Sequence, residues 1–461
     1  MMGFLIAGSA SGVGKTTVTL CLIAALRKLG LTVQAFKGGP DFLDTGHHTR
    51  FSGRRARNVD TWMLSHHDNI EVVHDATRDA DALIVEGMMG LFDGKSGESE
   101  AGSSAEIAKL LKLPVILVVD ASKSARSIAA VVLGFELFDP ELPLAGVILN
   151  RVASDRHFLL LQTALEARCR SPLLGWLPRD ESISIPERHL GLQSAAENRG
   201  GDLINELNAF ATIAEKHLDM ERIASLQCGL NVQHTVHPRI AAKDPVRIGV
   251  ARDAAFSFYY EDNLDLLQDS GAVLVPFSPI HDAELPPSLD ALYFGGGYPE
   301  LQAEKLSGNE SMLAQVRVFA SSKKPVYAEC GGMIYLGESI VAQDGTKYGM
   351  TNLLPLKFEM TSKLVQFGYV TVEFLEDCLL GAAGSTVRGH SFHYSRLASA
   401  GSLGRKYRVQ YSLSGKEENE GFSVGNVLSS YIHLHFRAAP GMAARFVQKI
   451  RDAKSMGLVS A

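Results

Sequence analysis

Between Phe4 and Leu177 the chain alternates two hydrophobic patterns. Short unbroken apolar runs ("FLIAG", "TVQAFK", "ALIVEG", "PVILVVD", "LAGVILN" and "LLGWLP") are separated by stretches with a helical period, the first opening at Lys15. Unbroken runs predict strands buried on both faces, and the helical stretches between them predict crossovers, so a mainly parallel sheet covered on both sides is expected. Helical periodicity continues from Ile185 to Glu215 after "IPERHLGL". It is lost in "CGLNVQHTVHPRIAAKDP", Cys228 to Pro245, which gains Pro, His and Asn and reads as a linker. A second series restarts at "VRIGVA" and runs through "AVLVPF", "ALYFGGG", "PVYAEC", "YVTVEF" and "VGNVLSSYIHLHF". The expectation is two unlike α/β domains, residues 1–227 and 246–461, joined by 228–245. No short-period repeat suggests an array instead.

The first domain carries a phosphate-binding signature. In "AGSASGVGKTTVTL", Ala7 to Leu20, a strand enters a glycine turn, Lys-Thr follows, and a helix begins. That order lets backbone N–H groups and a helix N-terminus cradle phosphates, with Gly12, Val13, Gly14, Lys15, Thr16 and Thr17 as the binding residues. Lys15 would neutralise the β- and γ-phosphates, and Thr16 would coordinate Mg²⁺. Five residues separate Gly8 from Gly14, one more than in the common Walker A loop. The longer loop resembles the dethiobiotin synthetase branch of P-loop proteins. "FKGGPDFLD" presents Lys37, Asp41 and Asp44 after one strand, and "ALIVEG" ends another on Glu86. Ligands of open parallel sheets gather at the carboxyl ends of the strands, so these groups can converge on the loop. Mg²⁺ takes oxygen ligands and keeps waters beside one or two carboxylates, which makes Thr16, Glu86 and Asp41 the expected metal ligands. Each aspartate has turn capping as its alternative role. Lys37 can pair with phosphate or with these acids.

In the second domain "KKPVYAECGGMIYLGESI" runs an apolar strand into Cys330 and two glycines before a helical pattern. A cysteine at such a corner is expected to have its thiol pKa lowered by the helix N-terminus. The other four cysteines, Cys21, Cys169, Cys228 and Cys378, read as small core hydrophobes. "ALYFGGGYPE" ends a strand in Gly295, Gly296 and Gly297, whose N–H groups can form a nest for an oxyanion, each donor worth roughly 3 kcal/mol. A nucleophilic thiol and a nest still need a base. The run "SSYIHLHF", Ser429 to Phe436, offers His433 and His435 on one face of an expected strand. With His390 and His393 of "RGHSFHYS" a four-histidine zinc site is also arithmetically available. His47, His48, His66 and His67 are expected to be exposed.

Composition narrows the class of ligand. At 461 residues, 46% hydrophobic and 21% charged, the chain can fill two or three cores. A net charge of -6 gives no electrostatic reason to expect nucleic acid or acidic membrane, and small molecules are the expected partners. Five scattered cysteines without a CxxC pair argue for a reducing compartment, and a cytoplasmic enzyme is expected. The apolar opening "MMGFLIAGSA" lacks a basic n-region and leads into the glycine turn, so neither signal peptide nor membrane span is expected.

Taken in order, "SGVGKTT", "KGGPDFLD", "RRARNVDTWML", "VEGMMGLFDG", "VVDASKSARSIAA" and "IPERHLGL" resemble the successive motifs of the cobyrinic acid a,c-diamide synthase family. Thr45 and Thr61 depart from the family pattern. "GGGYPE", "YAECGG" and "YIHLHF" resemble a class I glutamine amidotransferase domain, as found fused to the synthetase half in that family. The resemblance implies a P-loop NTPase-type domain followed by a flavodoxin-like α/β amidotransferase domain. It implies ATP and Mg²⁺, with glutamine and a corrinoid or related tetrapyrrole carboxylate as substrates; a homodimer is compatible with it. Activity would be amidation of the a- and c-carboxylates of cobyrinate through acyl phosphates, with ammonia released from glutamine. Hydrogenobyrinate and nickel sirohydrochlorin are the alternative rings. A P-loop regulatory protein with an inert amidotransferase-like module is the alternative class. By this resemblance Cys330 is the nucleophile, Gly295 to Gly297 hold the oxyanion, and His433 is the base. Two residues on, where the usual triad has a glutamate, stands His435, leaving a backbone carbonyl or His435 itself to orient the base.

Overall fold

The structure, a computed structural model, describes all residues except 143, 181–182, 184, 186, 189–190, 193–201, 231–243 and 460–461. The chain divides into two compact units, Met1–Val236 and His237–Ala461.

In the first unit seven strands form one sheet: β1 (Met2–Gly8), β2 (Val33–Gly38), β3 (Arg57–Val59), β4 (Ala82–Glu86), β5 (Val115–Asp120), β6 (Leu144–Val152) and β7 (Leu173–Pro178). Their order is β3-β2-β4-β1-β5-β6-β7, and every pairing is parallel. The strand residues are almost wholly buried, as unbroken Val/Ile/Leu runs require when helices cover both faces. On one face α1 (Lys15–Lys28) packs Val18, Leu22 and Leu26 against Phe4, Ile6 and Ile84. The order carries the functional consequence: β2, β4 and β1 are neighbours, with Lys37 registered to Glu86 and Glu86 to Ile6. Their carboxyl ends, and whatever side chains stand there, share one edge.

Two expectations for this unit are corrected. Glu187–Arg188 and Gly191–Leu192 pair as a short antiparallel hairpin, and a helix begins only at Leu203, where Asp202 caps it by accepting from the N–H groups of Ile204 and Asn205. Residues 186, 189 and 190 of "IPERHLGL" and residues 231–243 of the expected linker lie outside the described residues. Cys228 and Gly229, placed in that linker, belong to the first unit, because their N–H groups donate to the carbonyls of Met1 and Lys112.

The second unit has a ten-stranded mixed sheet. Ala272–Phe277, Val246–Ala251, Ala291–Phe294, Val326–Glu329 and Val427–Ser430 lie in that order and run parallel. Five further strands continue the sheet, ending with Thr386–His393 and His433–Leu434, all in antiparallel pairings. Only some of these were foreseen, since alternating, half-exposed strands such as Gly404–Tyr411 give no continuous apolar run. Two registers position the site: Glu329 lies opposite Ser430, and His390 opposite His433. Among the described residues no helix is long and apolar enough to cross a membrane.

Candidate active sites

The glycine loop after β1 has the left-handed backbone that its sequence requires. Gly12 has φ +74° and Gly14 φ +90°. A Cβ on Gly14 would stand 2.0 Å from Asn150 Nδ2, which donates to the carbonyl of Val13 at 2.8 Å. Asn150, at the end of β6, thus clamps the loop. Sequence reasoning missed it, although its place at the carboxyl end of a strand was a usable signal. Lys15 is buried, and its Nζ donates to Met89 O at 2.6 Å. Burial and the nearby Lys37 push its pKa down.

Below the loop lies a charged cluster. Thr16 Oγ1 is 2.9 Å from Glu86 Oε1 and 3.2 Å from Asp44 Oδ1. Lys37 Nζ contacts Asp44 Oδ2 at 2.5 Å and Glu86 Oε1 at 2.9 Å, and donates to Gly87 O at 3.1 Å. His48 Nε2 lies 2.7 Å from Glu86 Oε2. All four titratable groups are buried. Burial alone would raise Glu86, yet Lys37 and His48 hold its carboxyl below the usual range. Burial pushes Asp44 up to about 7, reinforced by the negative charges of Asp41 and Glu86. Burial would lower Lys37, but Asp44 and Glu86 outweigh it and raise the ammonium pKa.

The aspartates therefore divide their roles. Asp41 Oδ1 accepts from the N–H groups of Leu43 (2.8 Å) and Asp44 (3.0 Å), capping α2 (Leu43–Ser52). Asp44, in the first turn of that helix, reaches Thr16 in the place expected of Asp41. The oxygen set Thr16, Glu86 and Asp44 has the hard-donor chemistry that suits Mg²⁺. Among the described residues no group of three or more His, Cys, Asp or Glu is arranged to hold a metal by itself. The exposure expected of His47 and His48 is also corrected. Both are buried, His48 because Glu86 draws it inward, whereas the side chains of His66 and His67 are exposed.

In the second unit Cys330 sits between the strand Val326–Glu329 and the helix Gly331–Leu336 with φ +47° and ψ −102°. That conformation is strained for a residue with a Cβ, and the N–H of Cys330 pins it to Ser430 O at 2.7 Å. The glycines that follow are sterically required. A Cβ on Gly331 would come within 3.0 Å of Gly297 N, and one on Gly332 within 2.5 Å of Phe294 O. The thiol departs from expectation: burial and the charge of Glu300 push its pKa up. A helix of one and a half turns supplies too little dipole to offset burial, so the resting group is a thiol and its proton needs an acceptor.

His433 is buried directly against the glycine turn. A Cβ on Gly296 would lie 2.4 Å from its Cε1 and 3.2 Å from its Nε2. Its ring stacks on His390, centroids 4.8 Å apart and 13° between planes, and His390 Nδ1 meets Tyr260 Oη at 2.9 Å. Two of the three expected nest donors are engaged elsewhere: Gly295 N–H donates to Tyr259 Oη at 2.8 Å and Gly296 N–H to Phe258 O at 3.1 Å. This narrows the nest to Gly297, whose φ of +151° a side chain would not tolerate beside Ala255 O.

Comparison with known proteins covers both units. A model of the CobQ/CobB/MinD/ParA nucleotide binding domain matches residues 4–192, and one of the CobB/CobQ-like glutamine amidotransferase domain matches residues 247–441. A cobyrinate a,c-diamide synthase of Syntrophotalea carbinolica is 46% identical over 453 residues, spanning 97% of this chain and 98% of its own length. The chain belongs to the cobyrinate a,c-diamide synthase family. Proteins of the same name from Dehalococcoides mccartyi and Salmonella typhimurium are 43% and 41% identical, each spanning 97% of this chain and 98% of the relative. Cobyrinate a,c-diamide synthases are ATP-dependent, glutamine-hydrolysing amide ligases, and the nucleotide-binding and amidotransferase domains account for those two requirements.

Within this cobyrinate a,c-diamide synthase family member the two threonine departures are structurally accommodated. Thr45 Oγ1 donates to Phe42 O at 3.0 Å inside the first turn of α2, and Thr61 Oγ1 donates to Glu106. The four-histidine zinc reading fails on geometry. His390 stacks on His433, His393 stacks on Tyr431 at 3.8 Å, and His435 faces Tyr260 at 4.6 Å. His435 does not share the strand face of His433 either, because the strand ends at Leu434 and His435 Nδ1 caps the next turn, accepting from Arg437 N–H.

Burial lowers the pKa of His393 from its ordinary 6.5 to about 4, although Ser395 O accepts from its Nδ1–H at 2.7 Å. The folded value lies below the unfolded one, so this stability is present above pH 6.5 and lost as pH falls towards 4. The full window is worth on the order of 3 kcal/mol. Denaturation midpoints of the second unit are expected to fall across that window, and His393→Phe to flatten the slope by about one proton. A variant with the parent's slope would contradict the assignment.

Proposed function

We propose that this chain amidates the a- and c-carboxylates of cobyrinate in cobalamin biosynthesis, using ATP and ammonia drawn from glutamine. The observation that carries the reading is the pairing, on one chain, of a phosphate loop bordered by a Thr-Asp-Glu oxygen set with a strained cysteine elbow and a buried histidine that both pack against the Gly295 to Gly297 turn. His433 takes the Cys330 proton, and the thiolate attacks the glutamine carboxamide carbon. Gly297 N–H and the first N–H of the helix, at Gly331, donate to the developing oxyanion. His433 then protonates the departing nitrogen, giving ammonia, and activates water to release glutamate from the thioester. In the other unit the glycine loop and Lys15 hold ATP while a ring carboxylate oxygen attacks the γ-phosphorus and ADP leaves. Ammonia attacks the acyl carbon and phosphate departs with the C–O electron pair. Thr16, Glu86 and Asp44 would hold Mg²⁺, which when bound offsets phosphate charge.

The test is product mass. With ATP and glutamine, cobyrinate is expected to gain two amides, each accompanied by one ADP and one glutamate. Faster double amidation of nickel sirohydrochlorin or hydrogenobyrinate would overturn the choice of ring, and a final count other than two would overturn the regiochemistry.

A further inference from the structure

His433 needs a group that fixes its tautomer and steadies its charge, and the place two residues on, where the usual triad has a glutamate, holds His435, turned towards Tyr260. The strand that leads to the nucleophile offers a carboxylate instead. Glu329 Oε2 lies 3.7 Å from His433 Nδ1, and the two side chains are 1% and 2% exposed. We propose that Glu329, the residue immediately before the nucleophile, is the positioning carboxylate of His433. This rests on the proposed glutamine hydrolysis at Cys330 and His433.

Glu329 is itself held. Its Oε1 accepts from Tyr327 Oη at 2.5 Å and from Leu434 N–H at 3.3 Å, and its Oε2 accepts from Tyr293 Oη at 3.2 Å. Burial, then the charge of Glu329, raises both phenol pKa values well above 10, so both hydroxyls stay protonated and donate. The carboxylate thus grips the residue after His433 by its backbone while facing the imidazole by its side chain. The ring plane is set by the stack on His390, and the opposite ring nitrogen, Nε2, faces the Gly296 turn. An Nδ1–H facing Glu329 leaves Nε2 as the proton acceptor on the side of the glycine turn. At 3.7 Å the pair is an ion-pair contact rather than a hydrogen bond, and catalytic contacts that are long in unliganded sites close in the substrate complex. In turnover the thiol proton goes to Nε2 and returns to the leaving nitrogen; Glu329 gains no proton and stabilises the imidazolium. The positive φ at Cys330 breaks strand alternation directly after Glu329, which is how consecutive residues can serve opposite sides of one imidazole.

The test uses the full chain. Glu329→Gln is expected to lower kcat for glutamine hydrolysis by about 100-fold or more while leaving KM within about threefold, and to move the acid limb of kcat/KM to lower pH. Glu329→Asp should recover part of kcat and of the limb. A Glu329→Gln enzyme within threefold of the parent, or one whose losses come with an unmoved acid limb, would overturn the role. Nitrogen-15 histidine NMR of the unaltered chain needs no stable variant. The Nδ1–H tautomer is expected for neutral His433, with a downfield proton that shifts in Tyr293→Phe; an Nε2–H tautomer overturns the pairing. Absence of glutamine hydrolysis in the parent, or its survival in Cys330→Ala, would sink the underlying reading instead, and the tautomer would still decide the pairing.

Discussion

Cys330→Ala is expected to reduce glutamine-driven amidation by at least about 10⁴-fold while amidation driven by ammonium salts at alkaline pH stays near the parental rate. The large factor follows because the proposed route opens the glutamine carboxamide by attack of this thiol, and removing a nucleophile removes the whole covalent route. Ammonium rescue follows because the phosphate loop and its acidic cluster are built from residues of the other unit. Measuring both activities on one preparation checks this directly. Retained glutamine turnover would remove Cys330 from the chemistry, and loss of both activities would remove the separation of roles. Cys330→Gly adds a sharper form. Glycine relieves the strain at φ +47°, so this variant is expected to be inactive with glutamine yet more stable than the parent by about 1 kcal/mol.

Lys37→Met is expected to destabilise the first unit by roughly 3–5 kcal/mol, lowering its unfolding temperature by about 10 °C. The physical reason is the charge left behind. Lys37 Nζ stands within 2.5 Å of Asp44 and 2.9 Å of Glu86, and all three side chains are buried. Without the ammonium, two buried carboxylates face each other with His48 and the more distant Lys15 to compensate. Adding Asp44→Asn to Lys37→Met should return about half of the loss, because one of the two uncompensated charges then disappears. Calorimetry of the single and double variants distinguishes this from a packing defect, which the second substitution would not repair.

Much of this architecture was legible in the chain, and what was not has physical causes. The seven parallel strands announced themselves because burial on both faces leaves unbroken apolar runs, and the phosphate loop because its chemistry is contiguous. The burial of His48 was not readable, since its cause is Glu86, thirty-eight residues away and brought near only by strand order. The division between Asp41 and Asp44 depended on where α2 begins, a boundary that no side-chain pattern marks. Cys330 was recognisable from its glycine corner, but the direction of its pKa was not, because enclosure by the fold outweighs six residues of helix. Glu329 was overlooked beside it; its partner His433 follows a hundred residues later, and only the strand pairing of Glu329 with Ser430 brings the two within reach.

One helix ties several of these contacts to a common fate. Asp44 and His48 stand one turn apart on α2, and both face Glu86, while Asp41 fastens the first turn by its cap. The helix therefore meets the phosphate loop as a lever with a pinned end, and its two side chains cannot be repositioned separately. A substitution that shifted α2 would draw Asp44 away from Thr16 and Lys37 and His48 away from Glu86 in one movement, so the two contacts are expected to weaken together.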